Sequence, residues 1–127
     1  MNLLVIALGG AFGAVARYGL GGWIQNLTDT TFPMGTLVVN VLGSFLLGLS
    51  LPFFENLAWS MEVRTMIAIG FLGAFTTFST FSYEAIVLLE GGEWARAGLY
   101  IGGNLVLGLV AVFMGMAAAS FMLHTRG

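Results

Sequence analysis

Four long apolar stretches, separated by short polar ones, run along the chain. The first covers about Leu3 to Ile24, and polar residues from Gln25 to Thr31, then Pro33, interrupt it. The second runs from about Met34 to Phe54 and is closed by Glu55 to Glu62. The third runs from near Arg64 to near Leu89 and ends in a tight Gly-containing turn, Glu90 to Glu93. The fourth covers about Ala95 to Leu123, and His124-Thr125-Arg126-Gly127 reads as a short polar tail with a solvated histidine. Each stretch is long enough to cross a bilayer as a helix, which takes roughly 20 apolar residues. Trp23, Trp59 and Trp94 fall at stretch edges, where an amphipathic ring suits the membrane–water interface. The pattern predicts an all-α membrane protein of four transmembrane helices, with residues 1–127 forming a single domain. Ala14-Val15-Ala16 imitates a signal-peptide cleavage site. No positive segment precedes it and Gly-rich helical sequence continues past it, so the first span is expected to be retained.

The third stretch departs from the pattern. Its apolar parts, Met66 to Phe75 and Ala85 to Leu89, are each too short to span. Between them lies Thr76-Thr77-Phe78-Ser79-Thr80-Phe81-Ser82, near the bilayer centre, with Gly70 and Gly73 just before it. Two readings are open. In one the helix is broken there, and freed carbonyls bind a cation, as in transport proteins. In the other the helix is continuous and its hydroxyls bond back to the preceding turn.

Composition narrows the class. Of 127 residues, 58% are hydrophobic and only 8% charged, against about 25% charged in a soluble domain. Lipid must therefore cover most of the surface. There is no cysteine, which excludes disulfides, thiolate metal sites and thiol nucleophiles. The net charge is -2 and no basic cluster exists, so no nucleic-acid partner is expected. No metal-ligand spacing, nucleophile elbow, phosphate loop or paired catalytic carboxylate supports an enzyme. The four arginines show almost no inside bias: with the N-terminus cytoplasmic, Arg64 and Arg126 lie inside, Arg96 lies outside and Arg17 sits in the outer half of span one. Such a chain suits either a single orientation with a weak signal or dual topology and an inverted dimer. Small residues at spacing four (Gly9 with Gly13, Ser44 with Gly48, Gly98 with Gly102, Ala111 with Gly115 and Ala119) suit close helix packing, within one subunit or between two.

Polar rows mark the candidate site. Thr36, Asn40 and Ser44 share one face of span two, and Tyr100, Asn104 and Gly108 form a parallel row on span four. These rows suit either a polar track or structural hydrogen bonding between helices. Asn40 offers an amide donor to an anion, and the edges of Phe78 and Phe81 carry partial positive charge, though a Phe stripe in a membrane span equally suits plain packing. Arg17 suits an anion-attracting vestibule or snorkelling to the interface. Glu84 suits a proton carrier, a partner for Arg17, or an interfacial carboxylate.

Three segments carry a resemblance. They are residues 9–18 (GGAFGAVARY), 35–45 (GTLVVNVLGSF) and 70–82 (GFLGAFTTFSTFS). With Tyr100 in span four, they resemble the Fluc (CrcB) fluoride-channel family over the whole chain, in order. The resemblance implies an inverted, dual-topology homodimer in a bacterial or archaeal cell membrane. It would conduct fluoride passively through two pores, exporting it from the cytoplasm. The resemblance also implies an anion path lined by Asn40, Phe78, Phe81, Ser79, Thr80, Tyr100, Asn104 and Arg17. A structural sodium ion, Na+, would be held by backbone carbonyls of Gly73 and Thr76 from both subunits. Two departures stand out: Asn104 and Gly108 replace the hydroxyl residues frequent along the span-four row, and Phe75 replaces a smaller aliphatic residue. The competing readings are a proton-coupled exporter similar to the small multidrug resistance transporters and a non-transporting scaffold. The first needs a carboxylate in span one, where none precedes Asp29.

Overall fold

In a computed structural model, which describes residues 2–126, the chain is helical from end to end, with no strand among the described residues. Helix α1 spans Leu3–Thr28 and α2 spans Met34–Asn56. Helix α3 (61–75) opens as Met61–Thr65, widens into a π-helical stretch at Met66–Leu72 and closes at Gly73–Phe75. Helix α4 spans Phe78–Glu90. Helix α5 (94–126) contains a second π-helical stretch, Gly103–Leu107. Four segments are long and apolar enough to cross a membrane, with α3 and α4 together supplying the third.

The helices outrun the sequence-based boundaries. Gln25 to Thr28 belong to α1, and the loop that follows is only 29–33. Gln25 explains this: its Nε2 donates to the carbonyls of Thr30 and Phe32, and its Oε1 accepts from Gly35 N–H, so the turn is folded onto the helix end. Asp29 stops α1 with φ 44°, the left-handed geometry of a helix C-terminus. At the other end of the chain, His124 and Thr125 continue α5 rather than forming a tail, while Gly127 lies outside the described residues.

Close backbone approach sets the packing. Helix α1 lies against the π-helical stretch of α3, where a Cβ on Gly9 or Gly13 would strike the backbone of Met66 or Phe71. Helix α2 lies along the C-terminal part of α5, where a Cβ on Gly48 would strike the Val112 carbonyl and one on Gly115 the Phe45 carbonyl. These small-residue positions therefore pack within one subunit. Gly98 and Gly102 differ, since a Cβ there meets nothing. Contact of this kind is what holds helices together where lipid provides no hydrophobic drive.

The outer faces carry large apolar side chains, including Phe12, Tyr18, Leu99, Phe113 and Phe121, each at least 69% exposed. A compact aromatic core joins α4 to α5. Phe81 packs on Tyr100 at 5.5 Å between ring centroids, and Phe32 meets the same tyrosine edge-on at 5.6 Å. Gly48→Ala is expected to push α2 from α5 and destabilise the protein by about 1–3 kcal/mol, the usual range for overpacking. Gly98→Ala should leave stability unchanged or slightly higher. Thermal unfolding of both variants in detergent compares them directly.

Candidate functional site

The site is built around two residues that are not helical. Helix α3 ends at Phe75, and Thr76 (φ −91°, ψ 158°) and Thr77 (φ −147°, ψ 119°) are extended before α4 starts at Phe78. Extended backbone inside a span must find hydrogen-bond partners in protein or water. Thr77 finds them on α2: the Asn40 side chain accepts from Thr77 N–H at 2.8 Å and donates to the Thr77 carbonyl at 3.1 Å. One side-chain amide thus takes the place of a peptide neighbour. Gly43, one turn along α2, makes room for this approach, because a Cβ there would strike the Thr76 methyl and the Phe75 ring.

The diversion changes which carbonyls are paired. A continuing helix would give Thr77 N–H to the Gly73 carbonyl, but that hydrogen goes to Asn40. It would likewise give Thr80 N–H to the Thr76 carbonyl, but that hydrogen goes to Thr77 Oγ1 at 3.2 Å, the N-cap of α4. Thr76 Oγ1 bonds back to the Leu72 carbonyl. Arg17 reaches the last turn of α3 from α1, its Nε donating to the Ala74 carbonyl at 3.0 Å.

Two cavities meet at Thr77. The first, about 300 Å³, is lined by Asn40, Gly73, Thr76, Phe78, Phe81 and Asn104 among others. The second, about 210 Å³, is lined by Arg17, Thr36, Thr80 and Glu84 among others. Phe78 and Phe81 touch edge to face at 5.6 Å. Phe81 is 7% exposed and Phe78 74%, so the pair runs from the packed interior to an open face.

The sequence-predicted residues are therefore distributed unevenly. Asn40, Phe78, Phe81 and Asn104 share the first cavity with Gly73 and Thr76, while Arg17 and Thr80 line the second. Ser79 is exposed and Tyr100 is fully buried, and neither is among the lining residues of the two cavities. Glu84 does not pair with Arg17; it accepts the Tyr100 hydroxyl hydrogen at 2.9 Å. Among the described residues the ion pair present is Arg96 with Glu93 at 3.1 Å, at the exposed N-terminal end of α5. No group of three or more His, Asp or Glu side chains placed to hold a metal ion occurs among the described residues.

Comparison with known proteins agrees over nearly the full length. The family model described as "CrcB-like protein, Camphor Resistance (CrcB)" matches residues 4–116. A protein of Thermus thermophilus named fluoride-specific ion channel FluC is 53% identical over 112 residues, 88% of each chain. A protein of the same name from Acidobacterium capsulatum is 46% identical over 121 residues, 94% of this chain and 97% of its own. One from Shewanella baltica is 47% identical over 114 residues, 90% of this chain and 92% of its own.

Asn40→Leu keeps the volume of the side chain but leaves the Thr77 N–H and carbonyl without partners. Both bonds are part-buried, and two hydrogen bonds at about 0.5–1.5 kcal/mol each predict a loss of about 1–3 kcal/mol. An unfolding midpoint equal to that of the unsubstituted protein would show that the amide does not hold Thr77.

Proposed function

The chain belongs to the CrcB-like family, and on that footing we propose that it is a passive fluoride channel of the bacterial cell membrane that lets fluoride leave the cytoplasm. The observation that carries the reading is the cleft at Thr76-Thr77, midway along the third membrane-spanning segment, where amides and aromatic edges gather. Fluoride is small and tightly hydrated, so a selective path has to replace its water with close donors. Channels do this with fixed dipoles aimed at the ion. In this chain the polar and aromatic groups gathered at the cleft are the side-chain amides of α2 and α5 and the ring edges of Phe78 and Phe81, with the Arg17 guanidinium at the neighbouring cavity.

The finer architecture belongs to the same proposal. Gly73 is exposed and Thr76 is half-exposed, and both have lost the helix donors of their carbonyls. Bare carbonyls cannot face lipid. A second copy in inverted orientation would cover them and carry a second pore. The broken third span would then have its polar centre at the dimer axis. A sodium ion there would be held by the carbonyls of Gly73 and Thr76 from both copies, since hard cations accept carbonyl oxygen. Its contribution would be a fixed positive charge that keeps these dipoles together. In this arrangement Arg17 orients the end of α3 through Ala74, and Asn40 holds Thr77 extended so that Phe78 and Phe81 line the cleft.

Purified protein in liposomes loaded with potassium fluoride should release fluoride at rates well above those of empty liposomes once a potassium ionophore is added. Folded protein without such release would end the channel reading. Exchange of sodium for a bulky organic cation should abolish the release, and no sodium should travel with fluoride in active protein. Sodium flux in proportion to fluoride would refute the structural role of the ion.

A further inference from the structure

The loop between α1 and α2 sends one side chain into the packed interior. Phe32 lies outside the helices, yet its ring packs edge to face with Tyr100 at 5.6 Å between centroids. Tyr100 is fully buried, and Phe81 meets its ring from α4 at 5.5 Å. The tyrosine hydroxyl donates to Glu84 Oε1 at 2.9 Å, with the Thr36 and Asn104 side chains as its further hydrogen-bond partners. Asn104 lines the first cavity, whereas Thr36 and Glu84 line the second. One hydroxyl therefore joins side chains of both cavities. Loops are ordinarily the mobile part of a fold, but this one is pinned. Phe32 N–H donates to Thr30 Oγ1 at 3.1 Å, and the Phe32 carbonyl accepts from Gln25 Nε2 at 2.9 Å. From α5, Arg96 Nη1 donates to Thr31 Oγ1 at 2.8 Å, and the guanidinium stands 6.0 Å from the Phe32 ring centroid. Arg96 and Tyr100 are four residues apart on one helix, so a single turn of α5 meets Phe32 at two levels.

We propose that Phe32 is a positioning residue: latched from the surface by Arg96, its ring holds the Tyr100 hydroxyl between the two cavities. The bearing of this on transport rests on the channel reading above. The geometry asks for a ring at this place and not merely for bulk. An edge-to-face aromatic pair has a preferred angle, which an aliphatic contact of equal area lacks. The angle matters because hydrogen bonds weaken steeply as they bend, and several converge on the one oxygen of Tyr100. A small swing of that ring therefore disturbs groups of both cavities together. The latch itself supplies geometry more than stability. Arg96 and Glu93 are 39% and 43% exposed, and an ion pair so open to solvent contributes little to folding. Its hold on Thr31 keeps the loop, and with it Phe32, against α5.

Phe32→Leu keeps an apolar side chain in the loop and removes the ring. Fluoride efflux from liposomes should fall about two- to tenfold, the scale of one aromatic pair. In a Tyr100→Phe background the same substitution should change efflux by less than about twofold, because the hydroxyl through which Phe32 acts is already gone. Equal falls in both backgrounds would overturn the assignment, since Phe32 would then act by packing alone. Unchanged efflux from Phe32→Leu would overturn it too. Arg96→Gln loosens the same ring from the exposed surface and keeps the comparison open if Phe32→Leu does not fold; it should slow efflux only where Tyr100 has its hydroxyl. A second readout needs no transport. In protein labelled with carbon-13 at its glutamate carboxyls, the Glu84 signal, identified by its loss in Glu84→Gln, should move in Phe32→Leu or Arg96→Gln in the same direction as in Tyr100→Phe. A Glu84 signal that stays in place would refute the positioning role. Failure of the unsubstituted protein to conduct would sink the channel reading itself, and the carboxyl signal would still decide the role of Phe32.

Discussion

The pairing of one side-chain amide with one peptide unit governs this structure. Asn40 accepts from and donates to the backbone of Thr77, two bonds that a helix would otherwise provide. In water such a stretch would be satisfied by solvent. Inside a membrane span lipid cannot replace the lost bonds, so protein or cavity water has to. The extended conformation of Thr76 and Thr77 therefore depends on α2 being within reach. Gly43 is the local condition for that reach, since the space beside it is filled by Thr76 and Phe75.

Everything near the cleft follows from the same pairing. Once Thr77 is held, its hydroxyl caps α4, and α4 starts in a direction that brings Phe81 onto Tyr100 and leaves Phe78 open. The carbonyls of Gly73 and Thr76 lose their helical donors, while Ala74 gains Arg17 in compensation. Charge and dipole are thus arranged without a carboxylate in the cleft lining. Glu84, the acidic residue of α4 nearest this region, is tied to Tyr100 beside the second cavity.

Helix packing supplies the rigidity that such a site requires. Glycine-lined crossings bring α1 onto α3 and α2 onto α5 at backbone contact, so Asn40 and Asn104 face each other from two helices that cannot easily separate. The rows Thr36-Asn40-Ser44 and Tyr100-Asn104-Gly108 look alike as sequence. In space their members do different work: Asn40 and Asn104 bond across the cleft, Tyr100 turns to Glu84, and Gly108 leaves room beside Ser44.

The sequence by itself determined the number of spans, their approximate ends and the location of the polar run in the third. Hydropathy needs only the composition of a window, and lipid tolerates few exceptions to it. It also pointed to Asn40 and Asn104, because large amides inside a span stand out against leucine and glycine, whereas Phe78 and Phe81 were singled out by the family resemblance. The continuation of α1 through Gln25 to Thr28 was not legible, since Gln25 looks like loop until its bonds to Thr30, Phe32 and Gly35 are seen. Nor was the reach of Arg17 to Ala74, or the partnership of Glu84 with Tyr100. These contacts join residues far apart in the chain, and a one-dimensional pattern contains no distance between helices. Only the tertiary structure decided which groups the two cleft amides bond, because that depends on where Thr77 meets α2.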